Sequence, residues 1–154
     1  MGLDMYLRLR KAHDWHSNRE WFTSYDNAWG CKWRLSESTY TVCEWRKANA
    51  IHKWFVDHVQ DGEDDCGRYP VSVDKLKDLR AACREAMTLY DEGNIEDAAM
   101  FMPTQEGFFF GSTDYDDYYR EDLQRTFDAC HNLIRTLESP HRKDWISVEY
   151  ESSW

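Results

Sequence analysis

Three polar side chains at helical spacing give the sequence its clearest means of binding an anion. Arg46, Asn49 and Lys53 are separated by three and four residues, so a helix would place them on one face. Arginine offers a planar fork of donors and lysine a compact point charge, which together suit a phosphate or a carboxylate. The alternative is an ordinary solvated helix face. His52, on the apolar side of the same helix, is interpreted as a buried histidine instead of a general base.

A second candidate site lies within residues 103–119, where the chain reads PTQEGFFFGSTDYDDYY. Gly107 and Gly111 flank three consecutive phenylalanines, and their backbone freedom allows a short apolar strand to begin and end abruptly. We therefore predict a strand over residues 108–110, with Phe109 pointing opposite to its neighbours. A sheet covered on one face would leave at least one ring lining a groove, whereas a sheet covered on both faces would bury all three.

The polar residues that follow the phenylalanines predict the start of a long helix. Ser112 or Thr113 is expected to cap this helix. The aspartates at positions 114, 116 and 117 then lie where the helix dipole favours negative charge. Hydroxyl groups and first-turn amides would supply hydrogen-bond donors beside the aromatic groove. Taken together, the predicted ligand- or partner-binding residues are Arg46, Asn49, Lys53, Phe109, Ser112, Thr113, Tyr115, Asp116, Asp117 and Tyr119.

Hydrophobic periodicity predicts the elements that must position these residues. Alternating apolar residues predict strands over 3–10, 38–44 and 146–151. Apolar residues three and four apart predict helices over 45–60 and from a cap at Ser72 to Gly93, a short helix over 95–102, and a long helix that ends at Pro140. This order favours a single α+β domain over residues 1–154, with a mostly antiparallel sheet of about four strands packed by three main helices.

Composition and charge limit the class of protein. The chain has 154 residues, 42% of them hydrophobic, which supports one packed core and is too apolar for a disordered protein. No apolar run approaches the roughly 20 residues of a membrane span, and the first residues lack a signal-peptide pattern, so a cytoplasmic location is expected. The net charge is -10, and residues 61–154 hold 10 basic against 22 acidic side chains. This acidity disfavours direct binding to duplex nucleic acid and suits either a basic protein partner or simple solubility.

No motif predicts a metal, a cofactor or a catalytic residue. His13 and His16 could ligate zinc with Cys31 and Cys43, but their spacing matches no established zinc pattern. The five cysteines include no Cys-x-x-Cys pair and are predicted to be reduced thiols. The sequence also lacks a P-loop, a dinucleotide fingerprint and the Gly-x-Ser-x-Gly elbow of hydrolases. Four tryptophans within residues 15–33 have no periodicity, and they either fold onto the core or form a partner surface.

Four segments carry a family resemblance. Residues 2–7 (GLDMYL), 45–56 (WRKANAIHKWFV), 103–119 and 152–154 (SSW) resemble a family of small uncharacterised proteins from phages, prophages and bacteria. The segment over 13–32 fits this family less well. The resemblance implies an accessory role in a phage or mobile element, and by analogy an antagonist of host defence.

Two classes of function fit these observations. In the first, the protein binds a host protein stoichiometrically, with aromatic anchors and an acidic helix that engage a basic or nucleic-acid-binding target. In the second, it binds or hydrolyses a nucleotide-type ligand: an aromatic ring stacks on the base, Arg46 and Lys53 hold phosphate, and His52 or Asp116 moves a proton. Because no catalytic motif is present, the sequence favours binding over catalysis.

Overall fold

The computed structural model describes residues 2–12, 37–140 and 145–154. Its strands are Asp4–Ala12 (β1), Glu37–Arg46 (β2), Arg68–Pro70 (β3) and Trp145–Ser153 (β4), and its helices are Asn49–His58 (α1), Val73–Asp91 (α2), Ile95–Phe101 (α3) and Asp117–Leu137 (α4). The irregular tryptophan-rich segment and the pair of His13 and His16, as interpreted from the sequence, lie outside the described residues.

The four strands form one antiparallel sheet in the order β2-β1-β4-β3. Apolar and polar side chains alternate between its two faces as the sequence predicts: Leu3, Met5 and Leu7 are fully buried on one face. On the opposite face Arg8 and Arg10 form ion pairs of 2.6 Å with Glu151 and Glu149. A sheet with one apolar and one polar face is typical of antiparallel architecture. The predicted α+β fold with about four mostly antiparallel strands is confirmed.

The helices cover the apolar face and supply the rest of the core. The two long helices α2 and α4 pack against each other through inward-facing residues that include Cys83 and Cys130, both fully buried. The predicted cap of α2 is confirmed, because the Ser72 hydroxyl accepts a hydrogen bond from the amide of Lys75 at 3.2 Å. Gly93 follows the last turn with a φ of 84°, a left-handed conformation that glycine adopts without strain.

The predicted strand over residues 108–110 is wrong. These residues form a turn in which the Phe110 amide donates to the carbonyl of Gly107 at 3.1 Å. The fourth strand is instead Arg68–Pro70, which pairs with β4. A run of three aromatic residues has high strand propensity, but tertiary context overrides propensity in such short segments.

The first helix begins later than its apolar spacing predicts. Trp45 belongs to β2, where it pairs with Met5 and is fully buried. The strand continues through Arg46, and Lys47 then adopts a φ of 61° before α1 starts at Asn49. Cys43 and Trp45 are both buried, so the two-residue period of the strand prevails here over the helical period. Arg46 is therefore not on the helix that carries Asn49 and Lys53.

The cap of the long helix α4 also differs from the prediction. Asp116 accepts a hydrogen bond from the Tyr119 amide at 3.0 Å, and the helix begins at Asp117. Ser112 and Thr113 remain in the preceding loop. Aspartate is as good an N-cap as serine, so the three possible caps were not distinguishable by residue type.

Among the described helices, none has the length and apolarity that crossing a bilayer requires.

Candidate functional site

The segment from Pro103 to Asp116, which we call the aromatic loop, is held by a buried asparagine at the start of α1. Asn49 donates two hydrogen bonds through its Nδ2, to the carbonyl of Phe110 at 3.0 Å and to that of Ser112 at 2.7 Å. Its Oδ1 accepts from the amide of Gln105 at 3.1 Å. Asn49 is only 3% exposed, so these bonds are shielded from water. The residue therefore fixes the loop at three points.

A second attachment joins the aromatic loop to Leu3, the residue that precedes the interior strand β1. The amide of Leu3 donates to the carbonyl of Phe109 at 3.1 Å, and the amide of Lys47 donates to the carbonyl of Leu3 at 2.7 Å. Both glycines of the loop allow close packing: a Cβ on Gly107 would meet the Phe110 ring at 2.5 Å, and one on Gly111 would meet the Lys47 Cβ at 2.9 Å. The loop thus has a defined conformation despite lacking regular structure.

Gly111→Ala tests this packing. Gly111 has a φ of 86° and sits against Lys47, so we expect a loss of about 2 kcal/mol in the free energy of unfolding. Gly62→Ala is the matched control, because Gly62 has a φ of 84° but nothing within 4 Å of its added Cβ. Denaturant unfolding should show the smaller loss for the control, about 1 kcal/mol. Equal losses would mean that the loop does not press on Lys47.

The three phenylalanines of the loop lie in three different environments. Phe108 is 95% exposed, Phe109 is half-buried against the core, and Phe110 is 6% exposed. Phe108 and Phe109 make an edge contact with ring centroids 4.7 Å apart. Phe110 packs edge-on against His52 at 5.1 Å. Neither sequence alternative holds in full, because the segment has one ring in the core and one ring in water.

Most predicted polar residues of the loop serve its internal structure. The Ser112 hydroxyl donates to Asp114 at 2.8 Å. The Thr113 carbonyl accepts from the Thr104 hydroxyl at 3.1 Å, and the Tyr115 hydroxyl accepts from the Thr104 amide at 3.2 Å. The buried Tyr119 hydroxyl, at the start of α4, donates to the carbonyl of Met102 at 2.9 Å. These bonds position the backbone and leave few of the predicted side chains free to contact a partner.

A cleft of about 420 Å³ lies between the β2–α1 connection, the aromatic loop and the start of α4. Its apolar walls include Ala48, Ala50, Ile51 and Leu123. The predicted site residues that line it are Arg46, Asn49, Ser112, Asp116 and Tyr119, whereas Lys53, Phe109, Thr113, Tyr115 and Asp117 lie elsewhere. The cleft therefore gathers half of the predicted set.

The anion-binding trio is not assembled. Lys53 forms an i,i+4 ion pair with Asp57 at 2.9 Å on the outer face of α1. Arg46 lies on β2, with its side chain 70% exposed and its Nε 3.9 Å from the Asp4 carboxylate. Asn49 points into the protein. The three side chains therefore do not converge on one anion.

Asp122, on the second turn of α4, is the cleft residue that sequence reasoning missed. Burial raises the pKa of its carboxyl group to about 6, and nearby Arg125 only partly opposes this shift. Glu121 and Asp116 raise the pKa further. Within the described part of the chain, the carboxylate has neither a hydrogen bond nor an ion pair. In the sequence Asp122 is one acid among several on a helix, and only its placement under the β2–α1 connection distinguishes it.

A buried chain of polar groups crosses the core beside the aromatic loop. His52 is fully buried as predicted, with its Nδ1 2.7 Å from the Tyr150 hydroxyl and its Nε2 2.9 Å from Asp64. Burial lowers the pKa of His52, and Asp64 opposes that shift only in part. A neutral ring that donates from Nε2 to Asp64 accepts from the Tyr150 hydroxyl at Nδ1. Because His52 and Tyr150 are sealed from water, this arrangement joins α1, β4 and the 59–67 loop instead of meeting a substrate.

The described residues hold no group of three or more His, Cys, Asp or Glu side chains that is placed to bind a metal ion.

Comparisons with known proteins do not assign a function to this site. No protein-family model matches the chain, and searches of the curated proteins and of the solved structures gave no match.

Proposed function

We propose that the protein acts by stoichiometric binding to a protein target, with Phe108 as its aromatic anchor. The observation that carries this proposal is the 95% exposure of Phe108 on a loop that Asn49 and Leu3 hold in place. A fully exposed phenylalanine gains much by burial in a partner pocket, and aromatic side chains dominate interface energetics. Because the loop is already ordered, little conformational entropy would be lost on binding.

The charges around the anchor favour a basic target. Glu106 precedes Phe108 by two residues and is exposed, as are Asp114 and Asp117 on the other side of the loop. The whole chain carries a net charge of -10. Charges of this sign speed encounter with a positive surface and repel nucleic-acid backbones.

The family resemblance suggests the biological setting of this binding. We propose that the target is a host protein, and that the chain acts as an accessory protein of a phage or mobile element that antagonises host defence. A basic, nucleic-acid-binding defence component has the surface that an acidic, aromatic patch would recognise.

Geometry supports the nucleotide-type alternative less well. Arg46 and Lys53, the two groups expected to hold phosphate, lie on different elements, and Lys53 does not line the cleft. The cleft also presents four carboxylates, from Asp114, Asp116, Glu121 and Asp122, against three cationic side chains. This balance disfavours a polyanion.

A capture experiment tests the proposed function. Purified protein is immobilised and exposed to bacterial host lysate at about 50 and 500 mM salt, with a Phe108→Ser variant in parallel. We expect the wild type to retain one protein in equimolar amount, with less retained at high salt, and the variant to lose it. A nucleotide-dependent rise in melting temperature together with no retained protein would favour the alternative.

A second variant tests the acidic residues at the start of α4. Replacing Asp117 and Asp116 by Asn removes two charges, and Asn at position 116 still caps α4. We expect a slower association rate with the retained partner at low salt and a smaller difference at high salt. An unchanged association rate would contradict electrostatic steering by this surface.

A further inference from the structure

We propose that the cleft beside the aromatic loop binds the guanidinium or ammonium group of a basic side chain of the target, paired with Asp122. This inference rests on the proposed function of protein binding, but it concerns a different set of residues from the Phe108 anchor. The two can therefore fail separately.

The carboxylates in the cleft differ in whether they already have a hydrogen-bond partner. The Asp114 carboxylate accepts a hydrogen bond from the Ser112 hydroxyl, and the Asp116 carboxylate caps α4 by accepting one from the Tyr119 amide. Asp122 has no such partner within the described part of the chain, although it is partly withdrawn from water. An ionised carboxylate in this position is only partly hydrated and gains most from a cation that enters the cleft.

The basic side chains that line the cleft form no ion pair with Asp122. The stem of Lys47 packs over Gly111, and its Cε approaches Gly2. Arg46 is largely exposed and reaches towards Asp4. Arg125 favours the ionised form of Asp122 but forms no ion pair with it, and it is exposed on α4. These groups lie at the rim, so the interior carboxylate is left for a group from outside.

The size and the lining of the cleft suit a long basic side chain. A volume of about 420 Å³ is within the usual range of ligand pockets, and it exceeds what one long side chain fills. The apolar walls of Ala48, Ile51 and Leu123 would contact the methylene stem of an arginine or lysine while its charged head reaches Asp122. An anion of the same size would instead meet the four carboxylates.

Small model compounds test this site without a known target. Nα-acetyl-arginine-N-methylamide is titrated into the full-length protein at pH 7.5 and followed by amide chemical shifts, with the citrulline analogue as the neutral, isosteric control. We expect saturable shifts in residues 46–51 and 118–125, and binding of the citrulline analogue at least tenfold weaker. Lowering the pH to 5.0 should weaken arginine binding about tenfold, because the Asp122 carboxyl becomes protonated.

The groups that face Asp122 must be considered in that pH dependence. They are Glu121 and Arg125 on α4, Asp116 at its cap, Asp114 from the aromatic loop, Arg46 and Lys47 from the β2–α1 connection, and the hydroxyl groups of Tyr118 and Tyr119. The Cys43 thiol on β2 also interacts with Asp122, but burial raises its pKa to about 12, so it stays neutral between pH 5.0 and 7.5. Asp122→Asn, which keeps the size of the side chain, should remove both the binding and its pH dependence. Asp128→Asn, an exposed position on the same helix that does not line the cleft, should stay within twofold of the wild type.

The outcomes separate this site from the anchor. Phe108→Ser should bind the arginine compound as the wild type does, even where it loses the protein target. Absence of saturable binding, equal binding of the citrulline analogue, or unchanged binding by a folded Asp122→Asn variant would each overturn the proposal. Thermal unfolding of each variant confirms that it is folded.

Discussion

Replacing Asn49 by alanine is expected to lower the free energy of unfolding by about 3 kcal/mol. The substitution removes one buried and two partly buried hydrogen bonds and leaves the carbonyls of Phe110 and Ser112 without this donor. Asn49→Asp should lose at least as much, because an acceptor would then face both carbonyls. Urea unfolding measures the change, and hydrogen exchange at the Gln105 amide should accelerate in step with it.

Lys53→Ala provides the control for this prediction. Lys53 is on the same helix, but its ion pair with Asp57 is partly exposed, so its loss should cost less than about 0.5 kcal/mol. If Asn49→Ala were no more destabilising than this control, the aromatic loop would not depend on Asn49 for its position.

Replacing His52 by leucine is expected to destabilise the protein by about 2 to 4 kcal/mol at pH 7. The change leaves the fully buried Tyr150 hydroxyl without its partner and removes the hydrogen bond to Asp64. Tyr150→Phe should have a smaller effect. The phenylalanine ring would keep the stacking on Phe55, where the ring centroids are 3.8 Å apart, and only the hydrogen bond to His52 would be lost. Thermal or urea unfolding distinguishes the two.

The same histidine should make stability depend on pH. Its folded pKa lies below the usual 6.5, so between these two values the unfolded chain binds more protons. The His52 contribution is therefore complete above about pH 6.5 and is lost as the pH falls towards the folded value, by at most about 1.4 kcal/mol per unit. Asp122 changes the free energy of unfolding in the opposite direction. Its pKa is raised to about 6, so the folded chain binds more protons than the unfolded chain, and stability increases as the pH falls from about 6 to 4.

A difference curve isolates the histidine. The unfolding free energy of His52→Gln, subtracted from that of the wild type at each pH, cancels the contribution of Asp122. We expect the difference to shrink as the pH falls below 6.5. A difference that is constant from pH 5 to 8 would mean that His52 titrates alike in the folded and unfolded states.

The periodic parts of the fold were predictable from the sequence. The alternation of Leu3, Met5 and Leu7 and the apolar spacing of α2 and α4 each report burial on one face, which is a local property. The boundary between β2 and α1 was not predictable, because Trp45 fits both the two-residue period of a strand and the period of a helix. The strand over Arg68–Pro70 has only three residues and depends on its pairing with β4.

The structure gives the residues of the candidate site contacts that the sequence did not indicate. Two glycines around three phenylalanines predicted a strand, but these residues form a loop in which Phe108, and not Phe109, is the exposed ring. Asn49 was predicted to contact a ligand, but its amide is occupied by the loop backbone. Such roles depend on which groups meet in three dimensions, and neither the partner of an amide nor the isolation of Asp122 leaves a pattern in the chain.

We propose that the aromatic loop is a recognition surface anchored by Phe108. The most direct measurement is the affinity of the retained target for Phe108→Ser and for Tyr40→Ser, by calorimetry. Tyr40 is 53% exposed and pairs with Leu9, roughly 20 Å along β1 from the loop attachment at Leu3. We predict at least a tenfold loss for Phe108→Ser and a change within twofold for Tyr40→Ser. Equal affinities for the wild type and Phe108→Ser would contradict the claim.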